Sequence, residues 1–192
     1  MVRGCRSGLG LAVPVRGGVA AGLLLVLALT APQLPAADKD GKFAALGAGV
    51  ASCSRFLEAR EARSSEYFLF GGWIDGYLSA QNQTATETYS LVPWQSVDLL
   101  ASSLADYCRT HPEEPFLRAV TSMAAALRPQ RLEVSSERIS VTVGQLKQDF
   151  FRETLRRMQM RLAELGYFKG EVNGDFGKDS AAALGAFQRD QN

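Results

Sequence analysis

The chain has little of the side-chain chemistry on which many enzymes depend. Its 192 residues contain one histidine and three cysteines. The histidine, His111, stands in the stretch THPEEP with no second histidine or cysteine at metal-ligand spacing, so no zinc site is expected. Prolines and acids crowd it, so a Ser-His-Asp arrangement is not credible there. Cys-His catalysis is disfavoured because the cysteine that would take part is expected to be oxidised in a disulfide. We therefore predict no metal, no cofactor and no catalytic residues, and a protein that is not an enzyme.

Acidic residues are missing from the first part of the chain. No Asp or Glu precedes Asp38, whereas three arginines stand before or beside the start of the apolar run VAAGLLLVLALTA. A basic start, a short apolar run and a small-residue exit are typical of a secretory signal peptide. We predict that residues 1–37 are this signal peptide and that it is cleaved near Ala36 or Ala37. The expected location is the periplasm, and an extracellular location is the alternative.

The apolar run is shorter than a typical transmembrane helix, and the polar stretch DKDGK follows it. An uncleaved anchor is the other interpretation of this segment. Removal of residues 1–37 takes away three arginines and no acidic residue, which leaves 18 basic and 20 acidic residues. This balance predicts no nucleic-acid partner and, once the signal is removed, no membrane partner.

Two cysteines remain after removal of the signal. Cys53 and Cys108 form an even pair in an exported chain, which predicts one disulfide. Closing a loop of this length would stabilise the fold by about 4 kcal/mol in the chain-entropy model. Two free buried thiols are the alternative.

Helical patterns with short breaks fill residues 38–128. Four segments fit helices, and their short connections predict an antiparallel bundle or a small irregular helical domain. These segments are 43–60, 66–82, 93–108 and 114–127. Pro93 is expected in the first turn of the third helix, where its missing N–H costs little. The disulfide would tie the first helix to the third in a domain too small to rely on its core alone.

The second predicted helix combines glycines with aromatic residues in the stretch GGWIDGY. The glycines are Gly71, Gly72 and Gly76. Each costs up to about 1 kcal/mol relative to alanine in a helix interior, so a compensating contact is expected. Close packing against another helix is the first explanation. The second is a groove for a protein partner, lined by Trp73, Asp75 and Tyr77.

Residues 129–144 are rich in serine and β-branched residues and predict a linker that contains at most one short strand. A second helical pattern begins at Gln145, and residues 145–192 are expected to form a separate small domain. Gly166 is the expected left-handed cap of its first helix. Asp179 and Ser180 favour the first turn of its last helix. The predicted fold class is all-α: a disulfide-linked four-helix domain followed by a small helical domain.

The C-terminal stretch carries the motif M-Q-x-x-L-x-x-L-G-Y-F-x-G-x-x-N-G-x-F-G-x-x-S-x-x-A-L-x-x-F-Q. This order resembles the peptidoglycan-binding domain of the "type one" family, found on cell-wall hydrolases and other exported bacterial proteins. The matching positions are Met158-Gln159, Leu165-Gly166-Tyr167, Asn173-Gly174, Ser180 and Phe187-Gln188. Asn173 departs from the family's usual Asp. The resemblance covers about residues 145–192 and implies a module that holds the protein against the cell wall.

Peptidoglycan offers sugar hydroxyls, N-acetyl methyls, amides and carboxylates. A shallow site of aromatic faces, backbone donors and short polar side chains can meet these groups. The candidate residues for this site are Tyr167, Phe168, Asn173, Asp175 and Gln188. For each of them a plain packing or turn role is the alternative.

The middle of the chain contains Cys53, the stretch WIDGYLSAQN from Trp73 to Asn82 and the stretch YCRTHP ending at Pro112. These features are similar, more loosely, to those of small disulfide-linked periplasmic proteins of the HdeA-type chaperone and the toxin-immunity kind. Taken together, the sequence predicts an exported, non-catalytic protein that binds peptidoglycan through its C-terminal module and a protein partner through its helical domain. A cell-wall hydrolase or its accessory subunit is one alternative, with Asp75 as the acid to test. A periplasmic acid-stress chaperone or toxin-immunity protein is the other.

Overall fold

A computed structural model describes residues 37–143 and 145–191, so residues 1–36 of the predicted signal peptide lie outside the described residues. The chain divides into two units, of which the first ends at Phe43 and the second begins at Ala44. In the described part of the first unit, Asp38 Oδ1 accepts the N–H groups of Asp40 and Lys42 at 2.9 and 2.8 Å and closes a small turn. Across the described ranges, none of the helices has both the length and the apolar character needed to cross a bilayer.

The second unit begins with four α-helices around an aromatic core. They are α1 (Cys53–Glu61), α2 (Ser65–Thr84), α3 (Val97–Thr110) and α4 (Phe116–Leu127). Phe56, Phe70 and Phe116 are almost fully buried, and their ring centroids lie 4.6, 4.8 and 5.2 Å apart. Aromatic side chains bury large apolar areas, and tilted or edge-on pairs such as these add to that effect. This cluster therefore joins α1, α2 and α4.

The predicted disulfide between Cys53 and Cys108 is confirmed. It joins the first residue of α1 to the last turn of α3, with the two Cα atoms 4.9 Å apart. Backbone hydrogen bonds hold the same region: the N–H of Cys53 donates to the Glu114 carbonyl and that of Phe116 to the Ala51 carbonyl, both at 2.8 Å. The beginnings of α1 and α4 are thus fixed to each other beside the cystine.

The prediction of a first helix from Phe43 is wrong over its first half. Gly47–Val50 forms one turn of 3₁₀ helix, and Gly47 has a φ of +61°. A positive φ suits glycine but interrupts a right-handed helix. The α-helix starts only at Cys53, after Ser52, whose Oγ accepts the N–H of Arg55 at 3.2 Å.

The third helix also begins later than predicted. Pro93 lies outside α3, and Ser96 is the N-cap, with its Oγ accepting the N–H of Leu99 at 3.3 Å. A side-chain oxygen at this position satisfies one of the free N–H groups of the first turn. This cap therefore sets the start of α3, and the proline only precedes it.

A two-stranded antiparallel hairpin follows the helices. Strand β1 (Arg138–Val143) pairs with β2 (Leu146–Phe151) in a register that sets Arg138 opposite Phe151 and Val143 opposite Leu146. The helix predicted to begin at Gln145 is wrong in this stretch, because residues 146–151 are a strand and the helix starts at Arg152. The predicted fold class is nevertheless confirmed as mostly helical, with this small hairpin added.

The last two helices are α5 (Arg152–Glu164) and α6 (Lys178–Gln191). Helix α5 lies against the part of the same unit that α1 to α4 and their loops form, which we call the helical part. The guanidinium of Arg157 donates to the carbonyl oxygens of Gln130 at 2.8 Å and Arg131 at 3.2 Å. The Oγ1 of Thr154 donates to the Pro93 carbonyl at 3.4 Å. Side chains of α5 therefore hold two separate loops of the helical part.

Candidate functional site

The C-terminal segment has a miniature core of its own. Leu162 of α5, Phe168 of the following turn and Ala183 of α6 are buried together. Partly buried side chains complete the cluster: Met158, Tyr167, Val172, Leu184 and Phe187. Side chains of α5, of the following turn and of α6 therefore share one small core.

A glycine cap ends α5 and sets the direction of the next turn. Gly166 has a φ of +84°, as predicted from its position after Leu165. The N–H groups of Tyr167 and Phe168 both donate to the Leu162 carbonyl, at 2.9 and 3.2 Å. These bonds satisfy a carbonyl that the helix end leaves without a helical partner. The turn therefore places two aromatic rings directly beside the helix.

Gln159 is a buried polar side chain that ties three segments together. It is 1 % exposed, and its Oε1 accepts the N–H of Gly174 at 2.8 Å. Its Nε2 donates to the Asp175 carbonyl at 2.8 Å and to Ser180 Oγ at 2.9 Å. Buried polar groups that are fully satisfied make a structure rigid. The double turn and the start of α6 are thus held in place from α5.

Gly174 itself sits against the backbone of Arg152. Its φ is +81°, and a Cβ added there would lie 2.5 Å from the Arg152 carbonyl oxygen. The Arg152 guanidinium forms ion pairs with Asp175 and, at 3.0 Å, with Glu137. Its hydrogen bond to Asp175 is the main cause that raises the pKa of Arg152 above its usual value. One arginine thus links the turn to the residue that precedes β1.

Two of the five predicted ligand residues, Tyr167 and Phe168, share a groove of about 430 Å³. The Tyr167 O–H donates to Asp190 at 2.8 Å, and its ring meets Phe187 edge-on at 5.6 Å. The hydrogen bond to Asp190 raises the pKa of Tyr167. Phe168 is 6 % exposed and forms part of the core beneath the groove.

The other predicted residues lie elsewhere on the segment. Asn173 Oδ1 accepts the N–H of Asp175 at 2.9 Å, and Asn173 borders a separate recess of about 330 Å³ beside Arg152 and Arg156. Asp175 is engaged with Arg152. Gln188 is exposed on α6. The structure therefore does not bring all five side chains to one surface, and their contact with ligand stays a prediction.

Comparison with known protein families bears on this segment. Residues 152–192 match the family described as "Putative peptidoglycan binding domain". The resemblance noted in the sequence is confirmed for 41 of the 192 residues, and we call them the peptidoglycan-binding module. No curated protein and no solved structure matches the chain. The looser similarity of the middle region to periplasmic chaperone and immunity proteins stays a prediction.

Other residues of the peptidoglycan-binding module line the groove and were not among the predicted ligand contacts. They are Lys169, Gly170, Asp179, Ala182, Ala183 and Ala186. Lys169 and Asp179 bring opposite charges to the same groove, and both are exposed. The small side chains of α6 recur at three to four residues, which is the helical signal that could have identified this face. The groove thus combines a small apolar floor with one cation and one anion.

The predicted partner groove of α2 is divided between two sides of the helix. Trp73 and Tyr77 stack at 5.4 Å, and Trp73 Nε1 donates to the Leu46 carbonyl at 2.8 Å. The Tyr77 O–H and Thr121 Oγ1 are hydrogen-bonded at 3.2 Å. Asp75 is exposed, whereas both rings are partly buried. The structure therefore does not place Asp75 with the two aromatic side chains.

The close packing expected at the α2 glycines is wrong for two of them. A Cβ added at Gly72 or Gly76 would meet no atom within 4 Å, whereas one at Gly71 would lie 3.5 Å from Val97 Cγ1. Gly72 and Gly76 thus lie on an open side of α2, together with Phe68 and Leu69, which are 72 % and 69 % exposed.

Proposed function

We propose that the peptidoglycan-binding module attaches this protein to the cell wall. The observation that carries the proposal is the family match over residues 152–192, which includes the turns fixed by Gln159. A binding surface needs side chains that are already held in position, because ordering them on binding costs free energy. The groove at Tyr167 lies beside these fixed turns and is the part of the module that we assign to peptidoglycan.

The chemistry of the groove supports this assignment. Peptidoglycan stem peptides carry both carboxylate and amino groups, and its sugars carry N-acetyl methyls. Lys169 can pair with a carboxylate and Asp179 with an ammonium group. Ala182 and Ala186 leave room for a backbone or a methyl group to approach α6 closely. We therefore expect a fragment with stem peptide to bind better than bare glycan.

For the whole chain we propose an exported, non-catalytic protein of the periplasm. The pattern of residues 1–37 supports export. A disulfide is expected to persist in an oxidising compartment, and the Cys53–Cys108 bond agrees with that location. The matched family is a binding module, which supports a role in attachment. The helical domain would then meet a protein partner, and Trp73 and Tyr77 remain the residues to test.

Co-sedimentation of the purified protein with purified sacculi tests the attachment. We expect the wild-type protein to pellet with the sacculi and Lys169→Glu to remain largely in the supernatant. Lys147→Glu is the matched control. Lys147 is exposed on β2, so this substitution makes the same charge change outside the groove. Failure of the wild-type protein to pellet would overturn attachment. Equal retention of all three proteins would overturn only the assignment of the groove.

A zymogram on wall-containing gels tests the non-catalytic part of the proposal. We expect no zone of clearing from the refolded wild-type protein. Clearing by the wild-type protein that is lost in Asp75→Asn would show a hydrolase and would contradict the proposal, while leaving attachment through the module intact.

A further inference from the structure

A second and larger concave site lies where the hairpin, α5 and α6 face the loops of the helical part. Its volume is about 820 Å³, and it shares no lining residue with the groove at Tyr167. The walls include Trp94 before α3, Val141 and Phe150 on the hairpin, Met158 on α5 and Leu184 on α6. We call this site the hairpin cleft. Its volume falls within the range of small-molecule sites, at about 300–1,000 Å³.

The hairpin cleft exposes apolar surface that the fold leaves uncovered. Ten of its fifteen lining residues are apolar. Two of them are large side chains that remain about half exposed, Trp94 at 48 % and Val143 at 57 %. Burying apolar surface is favourable roughly in proportion to its area, so an apolar ligand gains free energy by filling this space.

The walls of the cleft are held in place without a ligand. Arg157 donates to the Gln130 carbonyl, and Thr154 donates to the Pro93 carbonyl; all four residues line the cleft. Val141, on the hairpin wall, is 7 % exposed. A site formed in advance avoids the cost of ordering loops when a ligand binds.

The charges of the cleft are of one sign. Arg157 and Arg161 line it, and its fifteen lining residues include no Asp or Glu. Arg157 is engaged with Glu153 at 3.0 Å and with backbone carbonyls. Arg161 pairs at 2.9 Å with Glu164, but both side chains are largely exposed, at 68 % and 61 %. Exposed pairs of this kind contribute little, so the Arg161 guanidinium can turn to a ligand at small cost.

We propose that the hairpin cleft binds a small amphipathic anion, namely a long-chain carboxylate. The apolar chain lies between Trp94 and the hairpin on one side and Met158 and Leu184 on the other. The carboxylate pairs with Arg161, because a planar guanidinium can give a carboxylate two parallel hydrogen bonds. This function is independent of wall attachment, since the cleft and the Tyr167 groove use different residues.

The two tryptophans of the chain allow a direct measurement. Trp73 lies in the helical core region and Trp94 in the cleft, so Trp73→Phe leaves Trp94 as the only reporter. The probes are dodecanoate, dodecanol as the neutral match of equal chain length, and butyrate as the short carboxylate. We expect a saturable change of Trp94 fluorescence with dodecanoate, roughly tenfold weaker binding of dodecanol, and no saturation with butyrate.

Variants of the cleft separate the contribution of its charge to ligand binding from the contribution of its apolar surface. Arg161→Gln should weaken dodecanoate binding roughly tenfold and leave dodecanol binding unchanged. Val143→Asp should weaken both. Arg109→Gln is the matched control, since Arg109 forms a similar exposed pair with Asp106 on α3, outside the cleft. Retention of Arg161→Gln on sacculi should equal that of the wild-type protein.

Several outcomes would overturn the proposal. They are the absence of saturable dodecanoate binding, equal binding of dodecanol, and displacement of dodecanoate by muropeptides, which would make the cleft an extension of the wall site. Ligand-free dimers that dissociate in Val143→Asp would show that a second copy fills the cleft. If Trp73→Phe does not fold, titration of carboxyl-labelled dodecanoate followed by carbon NMR on the wild-type protein decides the same question.

Discussion

The Oε1 atom of Gln159 accepts the backbone N–H of Gly174 at 2.8 Å, inside the smaller core of the protein. The same side chain reaches Asp175 and Ser180 through its Nε2. One glutamine therefore holds a glycine turn to both helices of the peptidoglycan-binding module. Its position in α5 follows directly after Met158, a residue that packs against the module core.

Replacement of Gln159 by methionine should destabilise the module. The change keeps the length of the side chain but removes its hydrogen bonds and leaves the buried Gly174 N–H without that acceptor. We expect a loss of about 2–3 kcal/mol in the free energy of unfolding. Gln191→Met, at the exposed end of α6, is the control and should change stability by less than about 0.5 kcal/mol. Urea unfolding measures both, and equal effects would contradict the role of the buried network.

Alanine at Gly174 should be more harmful than alanine at Gly166. Both glycines have positive φ, but only at Gly174 would the new Cβ strike a carbonyl oxygen, that of Arg152. The positive φ alone costs about 1–2 kcal/mol, and the clash adds about 1–3 kcal/mol. Thermal unfolding of the two variants compares them directly. A loss at Gly166 as large as that at Gly174 would show that the contact with Arg152 has no effect.

Gly72→Ala should stabilise the helical domain. Gly72 lies inside α2, and a Cβ there would meet no atom within 4 Å. Alanine reduces the backbone entropy of the unfolded chain, so we expect a gain of about 0.5–1 kcal/mol. Gly49→Ala is the opposite case, since its Cβ would lie 2.3 Å from Trp73 Cζ2, and it should destabilise. Chemical denaturation followed by circular dichroism distinguishes the two, and destabilisation by Gly72→Ala would refute the open-face description.

The phenol of Tyr167 should titrate above its usual pKa because its O–H donates to the Asp190 carboxylate. A raised pKa in the folded state favours the protonated form. The resulting stability is present below the unfolded pKa of about 10 and is lost as the pH rises through the folded pKa. Asp190→Asn should lower the pKa toward the usual value, whereas Asp106→Asn, an exposed carboxylate on α3, should leave it unchanged.

Tyrosine labelled at Cζ and followed by NMR gives the measurement for Tyr167. The chain has five tyrosines, so the absorbance of the whole protein would mix their titrations. A pKa of Tyr167 that is the same in the wild-type protein and in Asp190→Asn would contradict the assigned cause.

Features that depend on local chemistry could be predicted from the sequence. The glycine cap at Gly166, the body of α2 and the helical end of the module follow from helix periodicity and from the special conformations of glycine. The disulfide followed from the two cysteines that remain once the predicted signal peptide is removed from a chain with an export pattern. The cap and the helices depend only on neighbouring residues, and two cysteines can pair in only one way.

The hairpin could not be predicted with the same rules. Leu146 and Phe150 are four residues apart and therefore fit a helix, but their partners in the register are Val143 and Ile139 on β1. Whether residues 146–151 form a helix or a strand depends on this pairing with β1. The periodicity of a short apolar stretch does not indicate which strand it pairs with. The start of α3 had a local signal in Ser96, but Pro93 offered a competing one.

The arrangement of the site depended on tertiary contacts. Tyr167 and Asn173 are six residues apart, and the fixed turns direct them to different recesses. Asp75 lies between Trp73 and Tyr77 in sequence, but successive helical residues point to different sides. Neither separation could be obtained from residue types alone.

The bonds from Arg157 to the carbonyl oxygens of Gln130 and Arg131, and from Thr154 to that of Pro93, have a mechanical consequence. A cell wall that grows or stretches pulls on any protein fixed to it. Here a pull on the module passes straight into the loops beside α3 and α4, with no slack tether to absorb it. In a wall-attached copy the module and the disulfide-linked helices would therefore move together under load.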